Sequence, residues 1–154
     1  MAKNFKELLS KVSECSKKTL AVACAQDQAV LEAVKEANER GIASSILVGD
    51  EEKIREIASS INMDLSDFKI INVVDTVEAS LAAVKLVHDG EADMYLKGLL
   101  DTKTFLKSVL DKEVGLRTDK TLSHVCVFEC EGIDRLLFLT DVAFLPYPTL
   151  EDKV

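Results

Sequence analysis

Residues 20–50 read LAVACAQDQAVLEAVKEANERGIASSILVGD, and their pattern decides the fold. The apolar runs at 20–25 and 45–48 lack the polar alternation of half-exposed strands, which is typical of parallel strands covered on both faces. Between them, apolar residues recur every three or four positions after Asp27, a good helix N-cap, and Gly41 follows the last of them. The stretch therefore predicts a strand, a helix and a second, parallel strand.

The same rhythm continues to residue 97 and then changes. Strand-like runs at 70–74 and 94–96 alternate with helical patterns that begin after Asp50 and at Thr76. Further on, two strand-like runs, 122–130 and 135–144, are separated by four residues that include a glycine, which predicts an antiparallel hairpin. The predicted fold class is α/β: a three-layer α/β/α domain with a mostly parallel sheet and an antiparallel edge hairpin.

Composition restricts the functional classes. The chain is 47% apolar and 30% charged, a globular composition, and no apolar run approaches the ~20 residues that span a bilayer. The first 18 residues resemble an amphipathic helix more than a secretory signal, so we expect a cytoplasmic protein without a membrane partner. The formal charge of −8 argues against nucleic acid as a partner.

The cysteines are spaced unlike a metal site. None of Cys15, Cys24, Cys126 and Cys130 has a partner at the two-residue separation of zinc knuckles. Cys126 and Cys130 are four apart and are expected on one face of a strand, with His124 on the opposite face. We therefore predict no metal, and reduced structural thiols.

The most suggestive segment is 94–110, MYLKGLLDTKTFLKSVL. A strand ends near Lys97, Gly98 permits a tight turn, and Asp101 or Thr102 begins a helix. In open α/β sheets ligands bind beyond the carboxyl ends of strands, where helix amides and a lysine attract anions. One glycine is too few for a Walker A or dinucleotide loop. An anion site and a plain strand-to-helix turn both fit this spacing.

Charge adds a second indication in the same region. Residues 97–120 hold six basic and four acidic side chains, an excess of +2 on an acidic chain. Such an island suits a phosphate-bearing small molecule, although a solvated helix of mixed charge fits equally well. Arg117 could hold phosphate through two parallel hydrogen bonds, or be a surface loop residue. Ser123 and His124 are neighbours whose side chains diverge, so they cannot form a catalytic dyad.

Two runs carry a resemblance to a known family. YLKGLLDTKTFLKSVLDKEVGLR (95–117) and LSHVCVFECEGIDRLLFLTDVAFLPYP (122–148) resemble phosphate butyryltransferases and, more distantly, phosphate acetyltransferases. The resemblance is close from about residue 91 to 148 and diffuse before that. It implies reversible acyl transfer between coenzyme A and phosphate. It also implies two α/β domains similar to the isocitrate and isopropylmalate dehydrogenases, assembly into homo-oligomers, and coenzyme A as a substrate with no tightly bound cofactor.

The resemblance also implies roles for particular residues. It places Lys97, Gly98 and Thr102 in the cleft, with the helix N-terminus facing phosphate. Asp141 matches an aspartate in the segment that leads to the second domain, where an ordering role is favoured over chemistry. The substrate- or phosphate-binding residues it implies are Lys97, Gly98, Thr102, Arg117 and Ser123.

The same resemblance implies an incomplete site. Family chains are about twice this long, so residues 1–148 are expected to form the amino-terminal domain. Residues 149–154, with Thr149 as a cap, would begin a truncated helix leading to a missing second domain; a frayed natural terminus is the alternative. The catalytic residues are unknown, and we expect little turnover from this chain alone.

The sequence also bears on two other functional classes. A non-catalytic module that binds coenzyme A or an acyl phosphate would use the same loop after residue 97, and should carry a polar cover where a second domain would dock. A dinucleotide-binding domain is disfavoured, because residues 26–28 after the first strand contain no glycine to admit a pyrophosphate.

Overall fold

The computed structural model describes residues 2–145 and 147–153, so that Met1, Pro146 and Val154, which fall within the segments assigned above, lie outside the described residues. The chain divides into two compact units. The central unit is Ser16–Arg117, and the terminal unit combines Met1–Cys15 with Thr118–Val154. Over the described residues, no helix combines the length and apolar character needed to cross a membrane.

Strands and helices alternate through the central unit, as the sequence predicts. In chain order the elements are α1 Phe5–Val12, β1 Lys18–Ala23, α2 Gln28–Glu39, β2 Ala43–Gly49, α3 Glu51–Ser60, β3 Lys69–Asn72, α4 Thr76–His88, β4 Met94–Lys97, α5 Thr102–Val109, β5 Val125–Phe128, β6 Leu137–Thr140 and a 3₁₀ turn at Glu151–Lys153.

The four strands of the central unit form one parallel sheet in the order β3-β2-β1-β4. Successive residues of β1 point to opposite faces, so Ala21 packs in one apolar cluster and Val22 in the other. The first cluster includes residues of α4, and the second includes residues of α2 and α3. Helices therefore cover both faces, which confirms the predicted three-layer α/β fold.

Aspartates begin the helices of this unit. Asp27 and Asp50 cap α2 and α3 as predicted, and Gly41 follows α2 with a φ of +70°. The sequence suggested that Thr76 opens α4. The cap is instead Asp75, whose carboxylate accepts from the amides of Val77 and Glu78 at 2.9 Å. Each cap uses a donor that the helix itself leaves free.

The terminal unit contains the predicted hairpin and the predicted first helix. Strands β5 and β6 pair antiparallel and form a two-stranded sheet of their own, not an edge of the parallel sheet. The strands are shorter than the runs 122–130 and 135–144. One cause is that the His124 amide donates to the Asp141 carboxylate. In a longer strand this amide would be available to a carbonyl of the neighbouring strand. Helix α1 is joined to this unit by the Phe5 amide, which donates to the Glu129 carboxylate at 2.7 Å.

Candidate functional site

The carboxyl edge of the parallel sheet is the natural ligand edge of the central unit. The chain leaves β1 to build β2 and β3 on one side and returns to place β4 on the other side. The segments that follow β1 and β4 therefore diverge to opposite sides of the sheet, and in open α/β sheets a ligand crevice forms where strand order reverses. Lys97 and Gly98 lie at this edge, as the sequence predicts.

Gly98 is required by a close backbone approach. Its amide donates to the Ala23 carbonyl at 2.8 Å, and the Leu99 amide donates to the Cys24 carbonyl at 3.2 Å. A Cβ at position 98 would lie 2.5 Å from the Ala23 carbonyl oxygen and would also overlap that of Cys24. The glycine therefore allows the segment after β4 to hydrogen-bond to the end of β1, which is a structural role at the edge where a ligand would bind.

Sequence reasoning predicted a structural thiol at Cys24, the residue that follows β1, but not the conformation of its backbone. Its backbone is left-handed, with a φ of 53°, although it is not glycine, and its side chain is fully buried. Burial, together with the nearby Asp75 carboxylate, raises the pKa of the Cys24 thiol. The thiol is therefore a packing group, and its conformation carries no local sequence signal.

The N-terminus of α5 is partly occupied by the chain's own carboxylate. Asp101 is the N-cap, and its side chain accepts from the Thr104 amide at 3.0 Å. This side-chain and backbone bonding to Thr104 lowers the pKa of Asp101. Thr102 is the first helical residue and is exposed, and its amide has no acceptor among the described residues. The Thr102 donor thus remains open at this end of α5, near a fixed negative charge.

Lys97 supplies a positive charge to this edge. It is the last residue of β4, is exposed, and forms no ion pair with any residue in 2–145 or 147–153. Other lysines of the central unit, such as Lys18 and Lys69, are paired with carboxylates. An unpaired lysine beside an open helix amide can accept an anion without first breaking an ion pair.

The backbone before Arg117 is anchored at the other end of α5. The Leu116 amide donates to the carbonyl of Val109, the last residue of that helix, at 2.8 Å, and Gly115 packs tightly against the same turn. Helix α5 has eight residues, so its two ends lie about 11 Å apart at the usual helical rise. Arg117 is exposed. Lys97, Gly98 and Thr102 thus lie on the segment that joins β4 to the start of α5, whereas Arg117 follows the far end of α5.

Ser123 belongs to the terminal unit and lines a hollow there. The hollow measures about 420 Å³ and is lined by Asp119, Lys120, Thr121, Ser123, Leu145, Glu151 and Asp152. Ser123 is exposed, and carboxylates outnumber the single lysine in this lining. Because its lining is acidic, the hollow is poorly suited to bind a free phosphate.

Asp141 organises the segment after β6. Its carboxylate accepts from the amides of His124 at 2.5 Å, Ala143 at 2.7 Å, Phe144 at 2.8 Å and Leu145 at 3.4 Å. Burial would raise the pKa of Asp141, but the four amides together outweigh it and lower the pKa to about 2. A carboxylate held this way orders backbone, which is the role favoured from the sequence.

The expected position of His124 is wrong. Its ring Nδ1 lies 3.7 Å from the Cys126 sulfur, so the two side chains are on the same side of the chain and not on opposite faces. The reason is simple: residues two apart along an extended backbone share a face. The ring also packs edge-on against Phe144. No group of three or more metal-ligating side chains occurs among the residues that the structure describes.

A buried hydroxyl network ties α5 to the sheet. The Ser80 hydroxyl on α4 lies 2.6 Å from that of Ser108 on α5 and 2.9 Å from the Tyr95 hydroxyl on β4. The Tyr95 ring stacks on Phe105. These contacts fix α5 against α4 and β4. Sequence spacing gave no sign of this network, because its members are distant along the chain.

Comparison with known proteins gives a consistent result. A family model described as phosphate acetyl/butaryl transferase matches residues 4–78 and 72–154. The chain is 62% identical over its whole length to a phosphate butyryltransferase of Clostridium beijerinckii and 57% identical to one of Clostridium acetobutylicum, covering 51% of each. A phosphate acetyltransferase of Thermotoga maritima is 37% identical over 97% of this chain and 51% of its own length.

Solved structures agree with these relatives. A branched-chain phosphotransacylase from Enterococcus faecalis superposes with a TM-score of 0.69 at 28% identity, covering 86% of this chain and 45% of that one. The chain thus spans about half the length of the curated relatives and of the solved structure that it matches.

Proposed function

Since this chain belongs to the phosphate acetyl/butaryl transferase family, we propose that it supplies the amino-terminal part of an enzyme of phosphate butyryltransferase type. The reaction converts acyl-CoA and inorganic phosphate into acyl phosphate and coenzyme A, and runs in both directions. Residues 1–148 would form the amino-terminal α/β domain of that enzyme. The cytoplasmic location and the homo-oligomeric assembly stay predictions.

The observation that carries the proposal is the unpaired Lys97 at the reversal point of the sheet, on the segment that leads to the open amide of Thr102. Both substrates carry phosphate, and a lysine with one backbone donor is a suitable anchor for a phosphate oxygen. Asp101 limits how much negative charge this end of α5 accepts. We therefore assign Lys97 the principal charge and Thr102 an orienting hydrogen bond.

Arg117 and Ser123 enter the proposal on the strength of the resemblance. Arg117 starts from the far end of α5, so it would contact a phosphate other than the one beside Thr102. Coenzyme A carries several phosphates, and two separated cations suit a substrate of that length. Attack of the thiol on the acyl carbonyl also needs a base and oxyanion donors, which we expect from outside this half-length chain.

Calorimetric titration of the purified chain with coenzyme A tests the proposal. We expect weak binding that Lys97→Ala reduces ~10-fold, equal to about 1.4 kcal/mol. The matched control is Lys6→Ala, because Lys6 is also exposed and unpaired among the described residues but lies on α1 of the terminal unit. Equal losses in the two variants would show that the chain attracts anions only through its general charge, and the assignment of Lys97 would then be wrong.

An activity measurement complements the titration. Thioester absorbance would follow butyryl-CoA formation from butyryl phosphate and coenzyme A. We expect the isolated chain to show at most a trace of the ~1–10³ s⁻¹ usual for enzymes. Turnover in that range would mean that these 154 residues hold a complete site.

A further inference from the structure

Two adjacent leucines that follow β4 have opposite environments. Leu100 is 7% exposed and belongs to the apolar cluster that includes residues of α4, whereas Leu99 is 66% exposed. The buried Leu100 thus anchors the segment between β4 and α5 to the core. A single exposed leucine is ordinary on a protein surface, so the position and rigidity of Leu99 decide whether it has a role.

Hydrogen bonds fix the backbone on both sides of Leu99. Its amide donates to the Cys24 carbonyl at 3.2 Å, and the Gly98 amide donates to the Ala23 carbonyl at 2.8 Å. The Leu100 amide donates to the Gly98 carbonyl at 2.8 Å, which closes a three-residue turn with Leu99 at its centre. The φ of Leu99 is not positive, so this is the common inverse γ-turn. The exposed side chain therefore stands on a rigid support.

Leu99 lies on the short segment between the two proposed phosphate ligands. It is two residues from Lys97 and three from Thr102, so its Cα lies at most about 7.6 Å and about 11.4 Å from theirs. In an acyl phosphate, the acyl carbon is bonded directly to a phosphate oxygen. The acyl chain of such a substrate therefore begins at the phosphate, within reach of the Leu99 side chain.

We propose that Leu99 contacts the acyl chain of the substrate and favours butyryl over acetyl groups. This inference rests on the proposed function, because it requires a phosphate held by Lys97 and Thr102. A longer chain covers more of the exposed leucine, and each methylene that is completely buried raises affinity ~4-fold. One side chain covers only one side of the acyl chain, so the preference is smaller than that of an enclosed pocket.

Titration with alkyl phosphates, followed by NMR chemical shifts, tests the proposal on the full 154-residue chain. Ethyl phosphate and butyl phosphate match the chain lengths of acetyl and butyryl phosphate but do not transfer their chains. We expect butyl phosphate to bind the wild-type chain ~4-fold more tightly than ethyl phosphate. Its terminal methyl group should also give cross-peaks to the Leu99 methyl groups.

Matched variants assign the preference to one side chain. Leu99→Ala should lower the ratio of the two Kd values to less than ~1.5 and leave the affinity for ethyl phosphate within ~2-fold. Leu99→Met should keep most of the preference, because it conserves side-chain volume. Met94→Ala is the control, since Met94 is 47% exposed at the amino end of the same strand. Thermal melting checks that each variant folds.

A further variant separates this inference from the proposed function. Lys97→Ala should weaken both esters ~10-fold without changing their Kd ratio. If it leaves both affinities unchanged, the phosphate site is wrong and the role of Leu99 is wrong with it. If Lys97→Ala behaves as expected but the wild-type ratio is ~1, or Leu99→Ala leaves the ratio unchanged, only the role of Leu99 is overturned. Equal loss of preference in Met94→Ala and Leu99→Ala would overturn it as well.

Discussion

The central unit and the terminal unit bury their apolar residues to very different extents, although both contain strands of apolar sequence. In the central unit, β1 and β2 are each flanked by strands on both sides and covered by helices on both faces, so Val22 and Leu47 are completely buried. In the terminal unit, β5 and β6 have only each other, and Phe138 remains mostly exposed. Strand formation therefore follows from local pattern, whereas burial depends on how many layers the chain supplies.

The largest expected difference between the units is the cost of removing an apolar side chain. Leu47→Ala should destabilise the chain by about 2–5 kcal/mol, because it opens a cavity in a fully packed cluster. Leu139→Ala should cost less than about 1 kcal/mol, because half of that side chain already contacts water. Urea unfolding measures both values.

The comparison between units would fail if the two variants lost similar stability. That result would mean that the terminal unit has a packed interior in solution. A cost near the upper value for Leu47→Ala together with none for Leu139→Ala would place essentially all cooperative stability in the central unit.

Replacing one glycine in each unit by alanine distinguishes the cost of steric crowding from the cost of backbone strain. Gly98→Ala should cost about 1–3 kcal/mol, because its Cβ would overlap backbone carbonyls of the β1 end and force β4 away. Gly132→Ala has open space around it but a φ of +81°, so only conformational strain of about 1 kcal/mol is expected. Thermal melts with residue-level hydrogen exchange would show the first effect across the sheet and the second only in the hairpin turn. A smaller loss of stability in Gly98→Ala than in Gly132→Ala would contradict the close approach of Gly98 to the end of β1.

What the sequence could predict depended on the distance over which the causes act. Asp27, Asp50 and Gly41 were recognisable because capping chemistry is decided within a few residues. The Lys97–Gly98 turn was recognisable for the same reason. Nothing local indicated why Gly98 is needed, since the atoms it avoids belong to Ala23 and Cys24.

Arg117 is a second residue whose surroundings could not be predicted from the local sequence. Its type and its place in the basic segment 97–120 suggested a phosphate contact in the same region as Lys97 and Thr102. Hydrogen bonding of Leu116 to Val109 instead anchors the preceding backbone at the far end of α5. Sequence separation is a poor measure of distance when a helix lies between two residues, because the helix carries the chain away from its start.

The smallest expected effect concerns acid sensitivity of the terminal unit. Asp141 has a folded-state pKa of about 2 against an ordinary value of 3.8, so the folded loop holds its proton less tightly than the unfolded chain does. Its stabilising contribution is therefore complete above about pH 4 and is lost as the pH falls through about 2. The four amide bonds to one carboxylate are the cause.

Carbon-detected titration of the Asp141 carboxyl, with exchange rates of the His124 and Ala143 amides, would measure this effect. We expect a midpoint near 2 and a parallel loss of amide protection, since protonation removes the charge that those amides share. In Asp141→Asn the two amides should be less protected at every pH, and the change in their protection between pH 4 and 2, relative to the intrinsic exchange rate, should vanish. A carboxyl midpoint close to 4 in the wild-type chain would mean that the amide bonds are not maintained in solution. The loop after β6 would then lack the local order that distinguishes it from the rest of the terminal unit.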